Sequence, residues 1–198
     1  MSFSHSSLSA QVKSYLTFLP EEIRQKILEH LHGVIHYEPV IGIMGKSGTG
    51  KSSLCNAIFQ SRICATHPLN GCTRQAHRLT LQIGERRMTL VDLATLFPSS
   101  FPVLSVAAPV GWNLPALVSL MIHALPPQAT SAVYSHIRGE NRSEQARKHA
   151  QQTFGDAIGK SFDDAVARFS FPAWMLQLLR KARARIIHLL VTLWDHLF

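Results

Sequence analysis

The sequence predicts an α/β fold of about four strands, with helical extensions at both ends. Three observations predict it. An apolar run, Pro39 to Met44, leads directly into Gly45-Lys46-Ser47-Gly48-Thr49-Gly50-Lys51-Ser52, and a helix-forming stretch follows from Lys51 to Gln60. Two strand-like runs, His77–Ile83 and Arg87–Asp92, flank Gly84-Glu85 as the arms of a hairpin do. From about Ser143 to Phe198, apolar residues recur at helical spacing.

The elements follow in order. Ser7 to Gly33 reads as helical: Ile23, Ile27 and Leu31 recur every four residues, Pro20 sits where a first-turn proline is tolerated, and Gly33 offers a C-cap. Pro39–Met44 reads as a buried parallel strand, because it is apolar throughout and not alternating. Phe101–Ala108 reads as a fourth apolar strand, and Trp112–Leu125 as an amphipathic helix closed by Pro126-Pro127. In the tail, Phe154, Ile158, Phe162, Val166 and Phe169 share one face. Pro172 then opens a last helix, with Gln177, Lys181, Arg185, His188, Thr192 and Asp195 on one side. Leu179, Ile186, Leu190, Leu193 and Leu197 lie opposite, with Arg183 intruding. The expected division is a helical extension over 1–36, a phosphate-loop domain over 37–126 and a helical tail over 127–198.

Composition narrows the chemistry. The chain has 198 residues, 46% hydrophobic and 16% charged, which allows a substantial core. A net charge of +8 favours acidic partners: RNA, DNA or an anionic membrane surface. The polar N-terminus carries no apolar leader, and the three cysteines do not pair off, so a reducing cytoplasmic setting is expected. No run of about 18 apolar residues predicts a membrane span. Among the eleven histidines, His67 and His77 lie near Cys64 and Cys72, but the spacing matches no zinc pattern, and structural or surface roles are expected.

The glycine-rich stretch matches G-x-x-x-x-G-K-[ST] at every required position. Glycines let the backbone curl so that successive N–H groups face phosphate oxygens, and the helix that follows adds its positive end. Lys51 supplies a charge for the β- and γ-phosphates, and the Ser52 hydroxyl a ligand for Mg²⁺. The binding stretch runs from Gly45 through Ser53. Asp92, ending an apolar strand, suits a second Mg²⁺ contact, with a turn aspartate as the alternative. Thr73, in Asn70-Gly71-Cys72-Thr73-Arg74, stands where a switch threonine would meet Mg²⁺. A plain turn threonine fits that loop equally.

Together, the phosphate loop, the Gly71–Arg74 loop and the hairpin ending at Asp92 resemble the Era-like, translation-factor-class GTPases. They are most similar to the bacterial and prophage-borne, ribosome-binding-type subgroup. The Leu19–His30 block, Val103–Pro126 and the helical tail are similar as well. The resemblance implies binding of GTP or GDP with Mg²⁺, and a sheet with the phosphate-loop strand near its centre. It also marks departures. The family's D-x-P-G reads Asp92-Leu93-Ala94-Thr95 here, without the glycine whose amide senses the γ-phosphate. The guanine-reading [NT]-[KQ]-x-D is absent. An in-frame internal deletion accounts for both, and it leaves weak base selectivity and negligible hydrolysis as the expectation.

The deletion constrains the sheet. Leu93 to Phe101 spans roughly 30 Å at about 3.3 Å per residue, whereas parallel crossovers need about a dozen residues or more and a helix. The fourth strand is therefore antiparallel or irregular, or the sheet stays open on one side. The last helix carries Arg180, Lys181, Arg183 and Arg185 between Trp174 and Trp194. Three fates suit it: its apolar face packs on the tail, the helix lies on an anionic membrane surface, or its basic face meets ribosomal or other RNA. A membrane- or RNA-interacting helical protein, peripheral to the inner membrane in the first case, is the alternative reading of the whole chain.

Overall fold

A computed structural model describes residues 5–44, 48–60, 77–83, 86–93 and 104–198. The chain forms two compact units. One holds residues 38–149, and the other joins 1–37 to 150–198.

The first unit is built on β1 (Val40–Met44), β2 (His77–Ile83) and β3 (Arg86–Leu93). Among the described residues these make a three-stranded sheet in the order β1-β3-β2, against about four strands expected. β2 and β3 pair antiparallel, with Leu81 opposite Met88 and Leu79 opposite Leu90. Leu81, Met88 and Leu90 are buried while Thr80, Gln82 and Arg87 are exposed, the period of two that one covered sheet face imposes. β1 runs parallel to β3, with Val40 opposite Thr89 and Met44 opposite Leu93.

β1 departs from the buried strand that its apolar run predicts. None of its five residues is buried, and Val40 and Met44 keep 67% and 49% of their surface. Among the described residues it pairs on one side only. An apolar run records what a strand would bury in a full sheet, not whether neighbours are present to bury it.

The fourth strand is also absent from its described part. Leu104–Val106 lies in no strand, Ala107 bridges Trp112, and Ala108–Val110 is a short 3₁₀ turn. Gly111 (φ 70°) and Asn113 (φ 61°) then reverse the chain in the left-handed region, and Asn113 Nδ2 donates to the Ser105 carbonyl at 2.9 Å. Phe101–Val103 lies outside the described residues.

Among its described residues this unit holds three α-helices whole. α3 (Lys51–Ile58) follows the glycine-rich loop. α4 (Leu114–Ala124) starts two residues later than predicted and buries Leu114, Val118 and Ile122 at four-residue spacing. α5 (Pro127–His136), for which Pro126-Pro127 is a start and not only a stop, is buried from Ala129 to His136 and packs on β3.

The second unit is helical. The expected single N-terminal helix is two, α1 (His5–Ser14) and α2 (Glu21–Ile35), with Pro20 as the N-cap of α2. Gly33 lies inside α2, which runs on to Ile35 and is capped at His36. α6 (Glu144–Val166) passes from the first unit into this one, followed by α7 (Ala173–Thr192) and α8 (Trp194–Leu197). Its core includes Leu16, Ile23, Ile27, Leu31, Phe154, Ile158, Phe162, Leu179, Ile186, Leu190 and Trp194. Each large side chain buried this way contributes roughly 1.5–3 kcal/mol. The Ser161 hydroxyl donates to the His30 carbonyl at 2.9 Å, tying α6 to α2. Arg183, the cation that intrudes on the apolar side of α7, reaches α6. Its Nε and Nη2 meet the Asp163 carboxylate at 2.8 and 2.9 Å, and its guanidinium lies over Gly159.

Candidate phosphate-binding site

The site begins where β1 ends. Parallel pairing places Ile43 opposite Asp92 and Met44 opposite Leu93, so the glycine-rich loop and Asp92 leave the sheet at one edge. That edge, the carboxyl end of parallel strands, is where open α/β sheets bind ligands.

Gly48 and Gly50 hold φ of 81° and 85°, and Gly50 is the N-cap of α3. A Cβ at either position would meet nothing within 4 Å, so backbone conformation, not crowding, demands glycine here. The Leu54 N–H donates to the Gly50 carbonyl at 2.9 Å and closes the first helical turn. The backbone N–H groups of that turn, Lys51 to Ser53, point out of the helix N-terminus, where the helix dipole is positive. Gly48, Thr49, Gly50 and Ser53 are exposed, and Lys51 and Ser52 half-buried. An open loop of N–H donors, a lysine and a hydroxyl at a helix start suits a polyphosphate. Gly45, Lys46, Ser47 and Thr73 lie outside the described residues, as does the side chain of Asp92.

Sequence reasoning missed how the far end of α3 is held. Its last carbonyls are met by a segment about eighty residues away. Asn141 Nδ2 donates to Ala57 at 2.8 Å, and the Arg138 N–H to Ile58 at 2.9 Å. Arg138 Nε donates to Phe59 at 2.7 Å. The Gln60 side chain donates in return to the carbonyls of Ser135 and Ile137, and Phe59 bridges Ile137. A cation and an amide thus occupy the negative end of the helix whose positive end faces the phosphate loop. No local pattern around Arg138 or Asn141 announces this clamp.

His136, beside the clamp, is fully buried. Its Nδ1 hydrogen-bonds the Ala132 carbonyl at 2.8 Å. Burial pushes its pKa below the ordinary histidine value; the charge of Arg86 adds to this, and hydrogen bonds to the backbone of Ala132 and Arg86 oppose it. Burial likewise lowers Arg86 to about 10. Among the described residues no three His, Cys, Asp or Glu side chains converge as a metal cluster. Cys64, His67 and Cys72 lie outside those residues.

Comparison with known proteins identifies a family. A family model described as 50S ribosome-binding GTPase matches residues 40–152. The uncharacterized proteins YkfA and YfjP of Escherichia coli (strain K12) are 24% and 25% identical to the chain. Those matches cover 92% and 94% of this chain, and 96% and 97% of theirs. GTPase Der of Solidesulfovibrio magneticus is 39% identical over 54 residues, which is 27% of this chain and 12% of Der. No solved structure matches significantly.

Proposed function

The chain belongs to the 50S ribosome-binding GTPase family, and from that premise we propose that it is an internally shortened member. In this reading it binds GTP or GDP with Mg²⁺, distinguishes GTP from ATP weakly, and turns nucleotide over negligibly. The observation that carries nucleotide binding is the left-handed Gly48 and Gly50 feeding α3 at the end of β1, with Asp92 in register at the same sheet edge.

The residue roles follow from chemistry. Gly45 to Gly50 wrap the phosphates with backbone N–H groups, and Lys51 neutralises the β- and γ-phosphates. The Ser52 hydroxyl, with Thr73 and Asp92, supplies the oxygens a hard cation such as Mg²⁺ takes. Ser53 completes the first turn. A cation held there would spread the negative charge of the phosphates, and the residues of this chain would hold and orient them.

The length of the alignments supports the shortening. The YkfA match runs over 274 positions, yet 92% of a 198-residue chain is about 182 residues. About 92 aligned positions therefore have no counterpart here. The sequence after Asp92 supports the same reading, because it lacks both the γ-phosphate glycine and the guanine-reading aspartate. Phosphoryl transfer depends mostly on positioning and charge neutralisation, so a loop that binds does not by itself accelerate.

The basic tail adds a partner of opposite charge. The net charge of +8 suits ribosomal RNA or an anionic membrane surface. No helix among the described residues is long and apolar enough to cross a membrane.

The test is affinity for GTP, GDP and ATP, measured in parallel by calorimetry on monodisperse protein with Mg²⁺. GTP and ATP should bind within about tenfold of each other. Lys51→Ala should lose about tenfold to a hundredfold, the worth of one charge-assisted contact. A thousandfold preference for GTP would refute the lost base readout, and unchanged binding by a folded Lys51→Ala would remove the loop as the site.

A further inference from the structure

Three large hydrophobic side chains of the helical unit are exposed among the described residues: Phe169 at 38%, Trp174 at 60% and Leu176 at 42%. All three fall within eight residues, at the turn that joins α6 to α7. Phe171 is half-buried there, its ring 6.2 Å from that of Phe169. The rest of the apolar face of α7 is used, since Leu179, Ala182, Ile186 and Leu190 are buried in the core, as is Trp194 of α8. The helix therefore cannot lie flat on a bilayer by its apolar stripe. What it leaves unpartnered is one end.

Charge around that end is mostly positive. Arg168 precedes Phe169, and Arg180, Lys181 and Arg185 continue along the exposed side of α7. Of the two acids nearest in sequence, Asp163 is engaged by Arg183, which leaves Asp164 against the four cations. Lys181 follows Trp174 by seven residues, two helical turns on the same side and about 10 Å along the axis. That matches the roughly 5–10 Å over which interfacial segments sit between headgroups and acyl chains. Tryptophan and phenylalanine favour that boundary, and cations behind them meet anionic headgroups. A nucleic acid would use the cations and stack on the rings, but it gives no role to the aliphatic Leu176.

We propose that the α6–α7 turn is a membrane-docking tip. Phe169, Trp174 and Leu176 enter the interface of an anionic bilayer, and Arg168, Arg180 and Lys181 contact its headgroups. The tip shares no residue with the phosphate loop and stands whether or not that loop binds nucleotide.

The experiment is sedimentation of the full chain with vesicles of phosphatidylcholine alone, and of phosphatidylcholine with about a third phosphatidylglycerol. Binding is expected to the anionic vesicles only, and to weaken as salt rises. Each cation at such a surface is worth about fivefold in affinity. R180E/K181E should therefore bind at least about 25-fold more weakly, and F169S/W174S at least about tenfold. Both pairs are solvent-exposed, and an unchanged far-ultraviolet circular dichroism spectrum shows that the helices persist. Equal binding to both vesicle types, no binding to either, or wild-type binding by both variants would overturn the proposal. So would a chain that ignores vesicles while the same substitutions abolish its binding to poly(U) RNA.

Discussion

Asn141→Ala tests whether the clamp at the end of α3 holds the phosphate-loop helix. Asn141 is buried and its amide donates to the Ala57 carbonyl at 2.8 Å. Truncation removes the donor and leaves a carbonyl at a covered helix end without it. Such a loss costs about 1–3 kcal/mol. For a unit of about a hundred residues, 2 kcal/mol lowers Tm by roughly 8–16 °C. Arg138→Ala removes a 2.7 Å charge-assisted bond to Phe59, but the Arg138 side chain is 34% exposed and its backbone bond to Ile58 remains. Its cost therefore sits near 1 kcal/mol. The two groups serve one helix end, so the double variant should cost measurably more or less than the sum. Urea unfolding followed by circular dichroism, with thermal melts alongside, measures all three. If Asn141→Ala lies within 0.5 kcal/mol of the parent, the usual range of an uninvolved surface change, the clamp is not a structural support and the reasoning fails.

Other outcomes follow from the same geometry. Gly50→Ala should cost about 1–2 kcal/mol from the left-handed backbone alone, since its Cβ meets nothing, and should weaken nucleotide binding in calorimetry. The lowered pKa of His136 makes its contribution to stability complete above the ordinary value of 6.5. That contribution is lost as pH falls from there through the folded-state value, and urea midpoints of His136→Gln should lose that slope. Gly159→Ala displaces the far end of Arg183, since Cβ would sit 2.6 Å from Nη2. Losing an exposed ion pair, about 0.2–1 kcal/mol, is offset by roughly 1 kcal/mol of helix propensity, so the melt should move little. Gly159→Leu overpacks the same contact and should cost about 1–3 kcal/mol. GTP turnover should not exceed about 10⁻⁴ s⁻¹, the unassisted range; a rate near 1 s⁻¹ that Lys51→Ala abolishes would restore catalysis.

Legibility in the sequence tracked the range of the interaction. The hairpin and the start of α3 rest on neighbours in sequence: alternation along His77–Ile83, glycines at 48 and 50, a lysine and serine at the helix start. Those patterns were readable and the described residues form the corresponding elements. The polar side of the last two helices, from Gln177 in α7 to Asp195 in α8, is equally local and is exposed throughout. The clamp joins Ala57–Gln60 to Ser135–Asn141, and no local periodicity encodes such a pairing. Phe101–Ala108 reads as a strand because it is apolar, but a strand also needs a partner ladder. Pro109, Gly111 and Asn113 turn the chain close behind it. The break at Tyr15–Pro20 has one local mark, Pro20, which caps α2 and disfavours helix at Leu19, but the surrounding composition is helical throughout.

The helical unit is assembled from both ends of the chain, and this sets an order of events during synthesis. Its first part is finished at Tyr37, but its partner segment starts at Ala150. At about 5–20 residues per second, the ribosome needs roughly 6–22 s to supply the stretch between them. Throughout that interval Ile23, Ile27 and Leu31, buried in the finished unit, lack the 150–198 segment that completes it, so the emerging chain carries an unsatisfied apolar stripe. The sheet unit lies wholly inside the gap and completes its own contacts before the helical one can close. A ribosome stalled before Ala150 would leave that stripe without the second segment of its unit for as long as it waits.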